Sequence, residues 1–185
     1  IFRLQNVYGV GQSLKNPYTG ILSVFSNLLL EGQQVNIFED GLESRDFINV
    51  IDIAAGIIAS LDCQDSNTQI INLGSGIGTT VIEIAQMLKE KYNSSSILKV
   101  TGDFRIGDIA FNVADLSKAK RILGFRQTIS LDCGLDSFCK WVWHQKSMLS
   151  KKNLPNDISL DEEDSYKRSL DEMEKVGMFI RNNAG

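Results

Sequence analysis

Two rhythms of apolar residues alternate along this chain. Leu22, Phe25, Leu28 and Leu29 recur at helical spacing within residues Ile21 to Glu31, and Gly32 follows as a helix-ending residue. Asp52 stands where a cap would open a second helix through Leu61, with Ala54, Ala55, Ile57, Ile58 and Leu61 as its apolar face. Thr80-Val81-Ile82-Glu83 has the pattern of a capping box, in which a hydroxyl and a carboxylate serve the backbone N–H groups left over at a helix start. That helix runs to Tyr92 with Val81, Ile84, Ala85 and Leu88 on one side. A longer one spans Leu131 to Met148 and is expected to bury Leu135, Phe138, Cys139 and Val142. A short helix over Leu116 to Leu123 stops at Gly124.

Between these lie short apolar runs that read as strands: Ile1 to Val7, Val35 to Phe38, Ser44 to Val50, Gln69 to Leu73 and Ile97 to Val100. Pro17 to Gly20 and Asp40-Gly41 are turns. The whole predicts an α/β domain. From Ser150 the composition changes. Lys151 to Pro155 reads as a linker, and Asp161 to Asp164 puts acid at a helix N-terminus, where the dipole favours it. Tyr166, Leu170 and Met173 form the thin apolar stripe of that last helix, which docks on the domain or meets a partner. The expected organisation is residues 1–150 as one portion and 151–185 as linker and charged helix.

Length and charge narrow the function. The 185 residues suffice for one ordinary core, and 43% hydrophobic with 23% charged residues is the composition of a globular protein. A net charge of -4 and a pI near 5.1 argue against nucleic acid as the main partner. They leave room for a small anion held by a few arginines. No stretch approaches the roughly 20 apolar residues that cross a bilayer. The first residues lack the zones of a signal peptide, so a cytoplasmic location is expected. Cys63, Cys133 and Cys139 are scattered and odd in number, which suits reduced thiols rather than disulfides. With His144 as the single histidine and no Cys/His cluster, no metal site is expected. Trp141 and Trp143 near it are expected to pack, and no nucleophile is placed to form a triad with His144.

Three motifs carry candidate chemistry. Gly74-Ser75-Gly76-Ile77-Gly78 follows a strand and precedes a helix, as a dinucleotide-binding turn does. Its third glycine is one place early, however, and the capping box takes some of the amides that a pyrophosphate would use, so a turn-and-cap role is expected. Arg45-Asp46-Phe47 and Arg105-Ile106-Gly107-Asp108 are two arginine cassettes. Each arginine is either a surface ion-pair partner or a bidentate phosphate ligand at a cleft. Gly107 would let backbone approach a ligand, and Asp108 could accept from a sugar hydroxyl. Asn6 ends an apolar strand and serves either a turn or a ligand.

In their order, these pieces resemble the C-terminal part of the extended short-chain dehydrogenase/reductase family, the NAD-dependent nucleotide-sugar epimerases and dehydratases. The matching pieces are Arg3 to Gly9, Ile37 to Gly41 leading to Arg45 to Asp52, Ile71 to Gly76, Arg105 to Asp108, and Ala114 to Ala119 before Leu123-Gly124-Phe125. Gly11 to Ser13 and Asn16 to Gly20 look most like a subgroup acting on dTDP- or UDP-linked hexoses. The resemblance implies that Arg45 and Arg105 clamp the substrate's diphosphate and Asp108 binds its ribose. It implies that Asn6 lies near the diphosphate and that the backbone of Asn36 to Phe38 lines the base pocket. Asn112 stands where some relatives carry a bulky aromatic near the sugar, and its smaller side chain would leave room for a larger hexose. The implied reaction removes and returns a hydride at C4 with NAD, in a homodimeric parent.

The family's glycine-rich cofactor loop and its Tyr-x-x-x-Lys pair would precede the Arg3 motif. The expectation is therefore a Rossmann-type fold with most of the NAD-binding domain absent, residues 1–8 being one of its strands. Such a chain would have no catalytic residues of its own, bind NAD weakly and turn nothing over. A dehydratase or decarboxylase on the same scaffold, or a non-catalytic nucleotide- or partner-binding module, are the alternatives.

Overall fold

The computed structural model describes residues 1–14, 20–151 and 160–182, with the side chains of 149–151 and 160–165 outside the description. The Pro17 turn and the Lys152 to Pro155 part of the expected linker lie outside the described residues.

The opening apolar run is two strands rather than one. β1 (Phe2–Leu4) pairs in parallel with β5 (Ile71–Leu73), and β2 (Asn6–Tyr8) pairs in parallel with β4 (Ser44–Asn49). Gln5 bridges them, its N–H donating to the Leu73 carbonyl at 3.0 Å. β4 is the hub of the sheet. It also pairs antiparallel with β6 (Gly78–Thr80) and in parallel with β9 (Phe111–Asn112). β3 (Val35–Ile37) and β7 (Leu98–Val100) form a parallel pair. β8 (Phe104–Arg105) and β10 (Phe179–Ile180) form an antiparallel one. The two-residue strands and β6 are too short to show a period in the sequence.

The helices α1 (Ile21–Leu30), α3 (Val81–Lys91) and α5 (Leu131–Lys151) pack around the larger core. Phe25, Leu29, Ile84, Leu88, Leu135 and Phe138 are all buried there, each contributing about 1.5–3 kcal/mol relative to exposure. α1 ends in a Schellman turn. Gln33 N–H reaches the Leu28 carbonyl at 2.9 Å and Gly32, at φ +70, the Leu29 carbonyl at 3.3 Å. The capping box of α3 is present, with Thr80 N–H to Glu83 at 2.8 Å and Glu83 N–H to the Thr80 hydroxyl at 3.3 Å. A second core gathers Ile48, Ile53, Ile71, Leu73 and Phe125 beneath α2 (Val50–Leu61) and α4 (Ser117–Leu123).

α2 departs from its expected reading twice. Its N-cap is Asn49, whose side chain accepts from Ile51 N–H at 3.0 Å. Asp52 is instead a buried tie to the α4–α5 connection, accepting from the N–H groups of Thr128 at 3.0 Å and Ile129 at 3.1 Å. The helix buries Asp52, Ile53 and Gly56, while Ile57, Ile58 and Leu61 are exposed. The reason is close approach: a side chain at Gly56 would meet Phe125 at 3.0 Å. Trp141 packs on Phe138, but Trp143 is 65% exposed, on the outer face of α5. All three cysteines are free. Among the described residues no helix is long and apolar enough to cross a membrane.

Candidate functional site

A cavity of about 560 Å³ opens where β2, β3 and β4 meet the first turn of α1. Each wall has a local cause. The parallel register Asn6↔Phe47 brings Asn6 to the end of β2 beside β4, and Asn6 is exposed at the cavity rather than buried. Alternation along β3 buries Val35 and Ile37 and turns Asn36 to the open side, where its Oδ1 accepts from Gln34 at 2.7 Å. Arg45 projects from β4 between buried Ser44 and Asp46. Arg105 lies within β8, fixed by its pairing with Phe179. Gly107, at φ +84, makes the turn that returns the chain to Asp108 and does not itself line the cavity.

The structure thus gathers Asn6, Asn36, Phe38, Arg45, Arg105 and Asp108 on one cavity. Asn112 is not among the lining residues. It sits in β9 opposite Arg45, half-buried beside that arginine's strand.

Arg45 donates from Nη2 to Asp108 Oδ1 at 2.6 Å and from Nη1 to the Ser44 carbonyl at 3.0 Å. Arg105 lies over the Phe38 ring, 5.4 Å from its centroid, a cation–π contact. Its Nε is buried and has no hydrogen-bond partner among the described residues. A buried donor left unmatched costs about 1–3 kcal/mol, and a bound anion would remove that cost. Gly20 precedes α1 at φ +103, and Gly20, Ile21 and Leu22 line the cavity. The N-terminal end of a helix dipole favours negative charge. Against these stand Glu39, Glu43 and Asp108. Burial, and then the neighbouring Glu39 carboxyl, push the Glu43 acid up to about 7, so near neutral pH it carries only part of a charge.

Sequence reasoning passed over several wall residues. Tyr166, Ser169 and Met173 of α6 (Leu160–Lys175) line the cavity. Tyr166 and Met173 belong to the thin apolar stripe of an otherwise charged helix, whereas Ser169 carries no such signal. Asp46 carries no ligand role but explains the glycine turn. Fully buried, its carboxylate accepts from Ser75 N–H at 2.7 Å, the Ser75 hydroxyl at 2.6 Å, Gly76 N–H at 3.0 Å and Ala114 N–H at 3.1 Å. A side chain at Gly74 would meet Asp46 Oδ2 at 2.5 Å. The turn amides that could cradle a dinucleotide phosphate are therefore taken by the protein's own carboxylate, and these residues do not fit NAD. No group of three or more metal-ligating side chains occurs among the described residues. His144 is exposed on α5.

An α/β sheet thus carries Arg45 and Arg105 on the wall of one cavity. Residues 1–74 match the model of the NAD dependent epimerase/dehydratase family. The chain is 37% identical over 153 residues to a dTDP-L-rhamnose 4-epimerase of Burkholderia thailandensis, covering 83% of this chain and 41% of that protein. Among solved structures it is similar to a UDP-glucose 4-epimerase of Thermotoga maritima with UDP-glucose, at 30% identity and a TM-score of 0.69 over 78% of this chain and 46% of the other. It is also similar to an epimerase of Methanothermobacter thermautotrophicus, at 27% identity and a TM-score of 0.76 over 81% and 44%. The chain belongs to the NAD-dependent epimerase/dehydratase family, of the extended short-chain dehydrogenase/reductase type. It spans less than half the length of each of these three relatives.

Proposed function

We propose that this chain is the nucleotide-sugar-binding portion of an NAD-dependent NDP-hexose 4-epimerase. The observation that carries the reading is convergence: Arg45 and Arg105, sixty residues apart in sequence, line the same cavity. In this reading their guanidinium groups clamp the substrate diphosphate, with the N-terminal end of the α1 dipole favouring its charge. Asp108 accepts from the ribose. Among the described residues its side chain accepts only at one oxygen, Oδ1, from Arg45 and Ile109 N–H, which leaves the other for a hydroxyl. Asn6 contacts the substrate near the diphosphate, and Phe38 and the backbone of Asn36 to Phe38 line the base; Asn112, which does not line the cavity, is given no substrate contact. Fixing the remote nucleotide lets a hexose turn within the site without leaving it, which is a positioning role.

NAD, which supplies hydride chemistry when bound, is assigned to the rest of the protein together with the acid–base residues, because the glycine turn here is filled by Asp46. This portion alone is read as inactive. The intact protein is read as a cytoplasmic homodimer, with a dTDP-hexose such as dTDP-L-rhamnose preferred over a UDP-hexose. A dehydratase or decarboxylase would keep the same clamp.

Calorimetric titration of the intact protein with dTDP and UDP tests the reading. Binding of the diphosphates well above that of thymidine and uridine is expected. Failure to bind either diphosphate would leave a partner-binding module as the reading.

A further inference from the structure

The two arginines of the cavity are oriented by different means. Arg45 is tied to a carboxylate, that of Asp108. Arg105 rests on a ring, its guanidinium carbon 5.4 Å from the centroid of Phe38. Phe38 is packed in turn by Phe179, with centroids 5.1 Å apart, and the Arg181 guanidinium lies 6.0 Å from the Phe179 centroid. Arg105, Phe38, Phe179 and Arg181 thus form one chain of ring contacts. The residues after α6 build its far half. Gly177, at φ +73, ends α6 in a Schellman turn: Met178 N–H reaches the Met173 carbonyl at 2.8 Å and Gly177 N–H the Glu174 carbonyl at 3.0 Å. β10 follows at once, with Phe179 opposite Arg105 and Ile180 opposite Phe104. Alternation turns Phe179 inward, where it is buried, and leaves Phe104 and Ile180 exposed. A slip of one residue would put Phe179 outside. The register is fastened. Ile106 N–H donates to the Met178 carbonyl at 3.0 Å, Asn182 N–H to Asp103 at 2.7 Å, and Arg181 pairs with Asp171 and Glu174 of α6.

We infer that Phe179 is a positioning residue for Arg105: it holds the Phe38 ring in place, and that ring orients the guanidinium for a phosphate of the bound nucleotide. The inference rests on the nucleoside-diphosphate reading above. A ring holds a guanidinium by its face, so the in-plane N–H groups and the full charge remain for an anion, whereas a carboxylate takes a share of each. The Nε of Arg105, buried and without a hydrogen-bond partner among the described residues, is such a donor. An arginine kept from rotating also loses less entropy when its ligand arrives.

A double-mutant cycle on the intact protein tests this. Wild type, Phe179→Leu, Arg105→Ala and the double variant are titrated with dTDP and UDP, below the thermal midpoint of each. Phe179→Leu keeps an apolar side chain and removes the ring. It is expected to weaken the diphosphates roughly three- to tenfold in the wild-type background, the range of a weakened cation–π contact. In the Arg105→Ala background the same change should cost less than about twofold, because the residue acts through the arginine that is gone. A general loosening of the fold would cost the same in both. Phe38→Leu, at the half-buried end of the ring pair, decides the matter if Phe179→Leu does not fold. Its loss for the diphosphates should exceed its loss for thymidine and uridine by roughly three- to tenfold. Diphosphate affinity unchanged in Phe179→Leu, an equal loss in the two backgrounds, or equal losses for diphosphate and nucleoside in Phe38→Leu would overturn the inference while leaving the clamp standing. A wild-type protein that binds neither diphosphate would overturn the clamp and this inference together.

Discussion

Arg45 Nη2 and Asp108 Oδ1 meet at 2.6 Å on the cavity wall, with side-chain exposures of 17% and 39%. A pair this open to water adds little to stability. Its importance is positional, since it holds one guanidinium beside the cavity while cancelling part of the positive charge that a diphosphate would meet.

Asp108→Asn should therefore separate two contributions. Inorganic pyrophosphate, which has no ribose, should bind roughly three- to tenfold more tightly, in line with the ~1 kcal/mol of removing a like charge a few ångströms away. Thymidine and uridine should bind more weakly. Calorimetry with the two kinds of ligand checks both, and an unchanged pyrophosphate affinity would contradict the assigned role of the pair.

Asp46 tests the reading of the glycine turn. Asp46→Ala strands the N–H groups of Ser75, Gly76 and Ala114, which the carboxylate now satisfies. The expected loss is about 3–5 kcal/mol of unfolding free energy, a buried unmatched donor costing about 1–3 each with some relief from entering water. Urea denaturation measures it. A loss below about 1 kcal/mol would mean that the turn holds without its carboxylate.

Gly134 sits in the first turn of α5, against Tyr8. A side chain there would lie 2.0 Å from the Tyr8 hydroxyl oxygen and 2.9 Å from Cζ of the ring. Alanine normally gains about 1 kcal/mol over glycine in a helix. Here overpacking, about 1–3 kcal/mol, should win, so Gly134→Ala is expected to lower the thermal midpoint. A raised midpoint would show that Tyr8 moves aside freely.

Glu43 gives the site a pH dependence. Its acid is pushed up to about 7 by burial and by Glu39, with Asp40 adding to the effect. The folded state therefore holds this proton more tightly than the unfolded chain. The stability it contributes is full below the ordinary glutamate value of 4.5 and is lost as pH rises through about 7. Nucleoside-diphosphate affinity should weaken over the upper part of the same range, as a negative charge appears on the wall. Glu43→Gln should flatten both profiles. Urea midpoints and titrations on either side of neutrality measure them, and identical slopes in the two proteins would assign the dependence to other groups.

How far the sequence carried the account depended on the kind of signal. The Thr80–Glu83 box and the arginine cassettes were legible because they are local chemistry, read within four residues. The apolar stripe of α2 was misread because the residues that fix its orientation, Asp52 and Gly56, carry no hydrophobic signal, while exposed Ile57, Ile58 and Leu61 carry a strong one. Asn49, the actual cap, and Asp52 are equally good caps by residue type, and only the partners of Asp52 far along the chain decide between them. β8, β9 and β10 are two-residue strands, set by tertiary pairing rather than by any period. The place of α6 on the cavity wall was equally hidden, since a stripe of three residues says that a helix docks but not where.

The most direct test removes the two arginines in turn. Arg45→Ala, Arg105→Ala and the double variant of the intact protein are titrated with dTDP or UDP and with the matching nucleoside. Each single change should weaken the diphosphate by about 1.5–3 kcal/mol, as for a hydrogen bond to a charged group. The nucleoside should be nearly unaffected, and the double variant should lose most of the preference for phosphate. Diphosphate binding that survives both substitutions would show that the two guanidinium groups share a cavity without sharing a ligand.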